Sequence, residues 1–240
     1  MDHKLKFSIE KQPNDITCGP TCLQAVYRYF GNDIPVSQII DDVESIAEGG
    51  TLAVMLGCDA LRRGYTAVLY TFNLMIFDPT WFHAPDVNLA EKLAAQKHVK
   101  HAFKLQMASD AYIEFLSLGG EIRMEDLTGA LIRKYLKRSI PIIAGLSSTY
   151  LYQESREIGE DCRSDDLNGE PSGHFVVFSG YDQVERTVLV ADPYLSNPIS
   201  QSHHYAVSLD RAVCSVLLGI VTYDSNLLVI RPGVPLGKTL

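Results

Sequence analysis

Several features that would point to particular classes of protein are missing from this chain. No apolar run approaches the roughly 20 residues a membrane-spanning helix needs. The most apolar stretches, Ala212–Tyr223 and Val68–Phe77, fall far short of that length. Residues Met1–Asp15 contain no apolar core of a secretory signal, and the terminal Gly-Lys-Thr-Leu offers no cysteine for prenylation. Basic charge is scarce: 21 Lys and Arg stand against 29 Asp and Glu, for a net charge of −8. That balance argues against non-specific attraction to nucleic acid or an anionic bilayer. Cysteine is sparse and odd in number, five in 240 residues. A disulfide scaffold is therefore not expected, and reduced thiols in the cytoplasm are. There is no internal repeat, no low-complexity tract and no long Gly/Ser/Pro linker, so a single domain over residues 1–240 is expected.

What is present is a hydrophobic content of 46%, enough for one sizeable core. Cys22–Phe30 carries apolar residues at helical spacing and ends at Gly31-Asn32, a C-terminal turn signal. Val36–Ala47 reads as a second helix. A third, with Thr51 as a candidate cap, runs to Arg63 and stops at Gly64. Tyr65–Asn73 reads as a strand. Asp86–Gly119 repeats Leu89, Leu93, Val99, Phe103, Met107, Tyr112 and Phe115 among Lys and Glu, predicting one or two amphipathic helices within a helical insertion over about 74–120. Leu127–Leu136 continues the helical pattern and leads into a strand at Pro141–Leu146. The remaining expected strands are His174–Tyr181, Val188–Asp192, Leu217–Tyr223 and Leu227–Ile230. Helices first and hairpin-linked strands last indicate an α+β fold.

The chemistry-bearing segment is Gln12-Pro-Asn-Asp-Ile-Thr-Cys18-Gly-Pro-Thr-Cys22-Leu. Cys18 stands in a turn before an apolar helix, and the following Gly-Pro suits a first helical turn. The positive end of the helix dipole and its unpaired N–H groups favour a thiolate there. The same N–H groups can stabilise an oxyanion, and the Gln12 amide can complete the hole. Cys22, four residues on, lies a turn deeper and reads as core.

A nucleophilic thiol needs an imidazole within reach and a group that orients the ring. His174 opens the strand Gly-His-Phe-Val-Val-Phe-Ser-Gly-Tyr-Asp. In a hairpin returning through Val188–Asp192, the residues nearest His174 fall around positions 190–195, which includes Asp192. The competing Asp182 lies eight residues along the same strand, roughly 26 Å away at 3.3 Å per residue. His98 and His101 read as a solvated pair on a charged helix, and His203-His204 as loop.

The set Gln-x5-Cys-Gly-Pro-x-Cys-Leu, Gly-His-Phe-Val-Val-x-x-Gly-Tyr-Asp and Val-x-x-Ala-Asp-Pro resembles the bacteriocin-processing, double-glycine cysteine peptidases, and in particular their free-standing peptidase-like branch within the papain-like superfamily. Transporter-linked members carry Asp directly before the cysteine, where this chain has Thr17. The resemblance implies a papain-like fold, with an N-terminal helical lobe bearing the cysteine and a C-terminal antiparallel β lobe bearing His and Asp. It implies an oxyanion-hole role for Gln12, nucleophile for Cys18, base for His174 and orienter for Asp192.

Thiol-dependent cleavage of a peptide or amide bond is the expected activity. Acyl transfer on the same residues and a non-catalytic peptide-binding module remain alternatives. A metal or redox site at Cys18 and Cys22 is disfavoured, because their spacing is not that of a zinc pair. No cofactor, nucleic acid or membrane partner is expected, and oligomeric state leaves no trace in the sequence. Gln153–Gly173 holds seven acidic residues against two basic ones. Two readings stand for that segment and the Asp86–Gly119 helices: they wall the cleft and favour a substrate with a cationic group, or the tract is a solvated loop and the helices are packing elements. Tyr150, Tyr152 and Trp81 are candidate flat contacts.

Overall fold

The computed structural model describes residues 3–45, 50–84, 86–159 and 161–233. In chain order the elements are β1 (His3–Lys4), α1 (Cys18–Tyr29), α2 (Val36–Asp42), α3 (Ala53–Arg62), β2 (Tyr65–Thr71), α4 (Leu89–Val99), α5 (Phe103–Ser117), β3 (Glu121–Arg123), α6 (Gly129–Leu136), β4 (Ile142–Ser147), α7 (Ser148–Tyr152), β5 (Glu157–Ile158), β6 (Arg163–Ser164), β7 (Gly173–Asp182), β8 (Thr187–Ala191), β9 (His204–Ser208), α8 (Leu209–Leu218) and β10 (Asn226–Pro232). This is the expected α+β class, helices packed with one large sheet. No helix among the described residues is long and apolar enough to cross a membrane.

One sheet runs in the order β3-β2-β10-β4-β7-β8-β9, with β1 added along the far end of β7. Its pairings are antiparallel except β2 with β3. The sheet therefore recruits strands from both halves of the sequence. Helix α1 packs against β7 and is buried along Gly19–Tyr27, the placement expected of a helix with little polar surface. Gly19 permits that approach: a Cβ there would lie 2.5 Å from Thr51 Cγ2 and 3.2 Å from the Phe175 ring. The helix closes as its sequence suggests. Gly31 takes φ 88°, and the Asn32 N–H reaches back to Tyr27 O at 2.9 Å.

Three expectations are corrected. Leu217–Tyr223 is not a strand, because α8 runs to Leu218 and a 3-10 turn covers Gly219–Thr222. Ser208 caps α8 through Arg211 N at 3.2 Å, and Leu209, Ala212 and Val216 form its buried helical face. A short apolar run does not distinguish strand from buried helix, and here the cap and the stripe decide. His204 is not loop but opens β9, in which Tyr205 and Val207 point inward. The third helix is capped differently. Leu52 holds the cap position, while Thr51 Oγ1 donates to Glu44 O at 3.1 Å. The expected second helix ends at Asp42, and Ala47 lies outside the described residues.

Residues 86–119 form two helices, α4 and α5, as their periodicity predicts. They do not wall the cleft. Helix α5 packs on α3 and β3, with Phe115 buried beside Gly57 and Gly120. Trp81 packs on Phe77 within the same region.

Candidate active site

Cys18 is the first residue of α1 and is half-buried. The preceding Thr17 gives its hydroxyl to Asn14 O at 3.0 Å and supplies no side-chain cap. No side chain caps the start of α1, so among the described residues the N–H groups of Cys18 and Gly19 have no side-chain cap, and Pro20 brings no N–H of its own. The motif thus produces a thiol at the positive end of a well-buried helix.

His174 lies across the gap on β7, with Leu146 of β4 as its paired neighbour. Val177 faces Ala191 in the β7–β8 ladder. Continued outward, that register puts position 194 opposite His174 and Asp192 on the adjoining diagonal of the same face. The side chains meet there: His174 Nε2 is 2.9 Å from Asp192 Oδ1. This leaves Nδ1 free of Asp192, and Cys18, which lines one cavity together with His174, acts on the charge of the ring. Cys18, His174 and Asp192, distant in sequence, are therefore brought together. Asp182 sits at the opposite end of β7.

Asp192 has no exposed surface, and its carboxylate takes four hydrogen bonds. Oδ1 accepts from His174 and from Tyr194 N at 2.8 Å; Oδ2 accepts from the hydroxyls of Tyr152 at 2.8 Å and Tyr205 at 2.6 Å. Burial opposes the charge, but the His174 ring and these donors hold the carboxyl below its ordinary range. Burial likewise works against an imidazolium. The Asp192 carboxylate and then Cys18 outweigh it, and His174 is pushed up to about 10. The backbone around Asp192 is clamped too, by Asp192 N to His203 O at 2.8 Å and His203 Nδ1 to Asp192 O at 2.7 Å.

Gln12 is buried near this group. Its backbone N–H donates to Pro193 O at 3.0 Å and its Nε2 to Asn14 O at 2.9 Å, while Oε1 has no partner among the described residues. Cys22 is core: its thiol donates to Phe175 O at 3.3 Å, and burial, then the Cys18 and Asp192 charges, push it well up. No group of three His, Cys, Asp or Glu side chains among the described residues is placed to hold a metal ion.

Two cavities flank the ring. One, of about 510 Å³, opens on the Gln12 side and is lined by His174, Tyr152 and Tyr194 together with Asp15, Glu154, Glu157 and Asp161. The acidic segment is shaped by the β5–β6 hairpin and by reciprocal bonds between Glu157 and Glu170 of 3.1 and 2.8 Å. Glu160 lies outside the described residues. The negative field has a reporter in Cys162, whose thiol is raised by burial and then by Glu157, Asp15 and Asp161. The other cavity, of about 230 Å³, lies on the Cys18 side, bounded by Thr51, Leu52, Phe175, Thr222 and Asp224.

The family profile described as the Peptidase_C39 like family matches residues 4–212, a span that contains the whole cysteine, histidine and aspartate cluster. The chain belongs to this family. No curated protein matches this C39-like chain significantly. Among solved structures, a Bacillus anthracis protein assigned to the C39-like peptidases superposes with a TM-score of 0.51 at 15% identity, covering 96% of this chain and 98% of that one. The peptidase domain of Streptococcus ComA, a bi-functional ABC transporter of a quorum-sensing pathway, gives 0.45 at 13% identity, over 94% and 98%. A double glycine motif protease from an AMS/PCAT transporter, in complex with its leader peptide, gives 0.47 at 14%, over 97% and 96%.

Two residues of this C39-like site escaped sequence reasoning. Tyr205 had a legible signal, the period-two alternation of His204–Ser208, but its tie to Asp192 depends on the β8–β9 register. Asp224 had none. It is buried beside the Cys18 cavity and pushed up to about 7 by burial, against the hydrogen bonds it accepts from Asn226 and Ala53 N.

Proposed function

We propose that this chain is a thiol-dependent hydrolase that cleaves a peptide or amide bond through an acyl-enzyme on Cys18. The observation that carries the reading is the hydrogen-bonded His174–Asp192 pair, 2.9 Å apart, beside a cysteine at a helix start. Nδ1 of His174 takes the Cys18 proton, and the imidazolium formed is held by the Asp192 carboxylate. The sulfur attacks the substrate carbonyl carbon, and the C=O electron pair moves to oxygen. The oxyanion is met by the Cys18 and Gly19 N–H groups and by the Gln12 amide N–H that does not bind Asn14. As the tetrahedral species collapses, the C–N bond breaks and the imidazolium protonates the departing amine. Water, deprotonated by His174, then hydrolyses the thioester and frees Cys18. Tyr152 and Tyr205 act as positioning residues by fixing the carboxylate. The acidic wall favours a substrate with a positive group near the scissile bond.

The test is alkylation with iodoacetamide near neutral pH, followed by peptide mapping. Cys162 is the most exposed thiol but is raised by its surroundings, and burial pushes Cys58 up to about 12. Modification concentrated on Cys18, and lost in His174→Ala, is the expected result. Labelling spread evenly over Cys18, Cys58, Cys162 and Cys214 would sink the proposal.

A further inference from the structure

Asp224 presents a carboxylate oxygen whose presence folding does not explain. The residue is 5% exposed. Its Oδ1 accepts from Ala53 N at 3.2 Å, at the start of α3, and from Asn226 Nδ2 at 3.0 Å. Oδ2 accepts no hydrogen bond among the described residues. An asparagine would cap α3 equally well through its single oxygen, so the structural duty does not require an acid. Oδ2 is not one of the buried atoms left without a partner, so it keeps an open side.

The same residue lines the cavity of about 230 Å³ that contains Cys18 and His174. Away from His174 and the start of α1, the polarity of that cavity is one-sided. Thr222 Oγ1 donates to Gly219 O at 3.0 Å and Thr51 Oγ1 to Glu44 O at 3.1 Å, so both hydroxyls offer only lone pairs inward. No Lys or Arg is among the lining residues, and Asp15 adds a second carboxylate at the rim. Ile16, Leu52 and Phe175 supply apolar wall between rim and floor. Apolar sides over a floor of acceptors match a long aliphatic stem carrying a positive head, whose charge would hold Asp224 ionised against the burial that raises it.

We propose that this cavity is a substrate subsite, separate from the acidic wall beside His174, that selects a lysine or arginine side chain through Asp224. The inference deepens the reading of Cys18 as nucleophile and rests on it.

The test uses pairs of peptidyl acyloxymethyl ketones that alkylate the nucleophilic sulfur, releasing carboxylate as leaving group. Each pair carries lysine or its uncharged isostere norleucine at one position on the acyl side. At one position the lysine probe should inactivate the wild-type protein about tenfold faster or more, the rate equivalent of a charge-assisted hydrogen bond. In Asp224→Asn the lysine-to-norleucine ratio should fall to near unity. A ratio measured within one protein is insensitive to any general loss of reactivity in the variant. Asp15→Asn should retain most of the preference. Should Asp224→Asn fail to fold, a crystal structure of the wild-type lysine adduct decides, with the ammonium within hydrogen-bonding distance of Asp224 Oδ2 or elsewhere. A lysine probe that never outpaces its partner, or a preference that survives in Asp224→Asn, overturns the subsite. If iodoacetamide does not select Cys18 at all, the nucleophile assignment fails instead, and the two failures are separable.

Discussion

Replacing Asp192 by asparagine isolates the charge of the proposed orienting residue from its shape. The asparagine oxygen can keep both bonds now made by Oδ1, to His174 Nε2 and to Tyr194 N. Its amide nitrogen then faces the hydroxyls of Tyr152 and Tyr205, which can rotate from donor to acceptor. The fold should therefore persist, whereas alanine would leave several donors unpaired. What disappears is the negative charge 2.9 Å from the imidazole. Exchanging a charge-assisted bond for a neutral one costs roughly 1–2 kcal/mol, or about tenfold in the imidazolium population. The alkylation rate of Cys18 by iodoacetamide should fall by about that factor near pH 7. It should converge with wild type above pH 10, the value to which His174 is raised, because the imidazolium is then lost from both proteins. Stability should follow the same signs. The raised His174 stabilises the fold fully below its unfolded value of about 6.5, and this contribution is lost as pH rises through about 10. The depressed Asp192 stabilises above the ordinary carboxylate range, and its share is lost as acid titrates it. The Tm gap between wild type and Asp192→Asn should thus be widest at mildly acidic to neutral pH and narrow beyond pH 10. A folded Asp192→Asn protein that alkylates like wild type across the whole pH range would refute the reasoning.

Two further outcomes are expected. Gln12→Ala should lower kcat on a fluorogenic peptide by about 10²–10³-fold with little change in KM, the pattern of a lost oxyanion donor; a loss confined to KM would remove Gln12 from that role. Converting Glu154, Glu157 and Asp161 together to their amides should raise KM roughly three- to tenfold for substrates with a cationic group and leave neutral ones unchanged, since partly exposed charges act weakly one by one; equal shifts for both classes would discard the electrostatic role of the wall.

Much of the fold was legible because its signals are local. The helix after Cys18, its Gly31-Asn32 ending and the two helices of 86–119 follow from periodicity and stop residues within one or two turns. The long β7 strand was equally plain. Leu217–Tyr223 misled because an apolar, β-branched run satisfies either element, and the cap at Ser208 outranked propensity. The helices of 86–119 were legible in type, but the choice between cleft wall and packing element was left to the structure, since periodicity shows that a face is buried but not against what.

For the site, spacing and strand geometry sufficed to nominate Cys18, His174 and Asp192, since a turn before a helix and a two-stranded hairpin are short-range constructions. The charge held on His174, the four donors around Asp192 and the lone oxygen of Asp224 belong to another level. They depend on which remote segments pack together, β9 beside β8 and the residue 219–226 turn beneath α3. Local preference acts over a few residues along the chain, whereas desolvation and hydrogen-bond supply are set by every neighbour in space. The order of elements and the chemical candidates were therefore decided by sequence, and the protonation states and the shape of the cleft by tertiary structure.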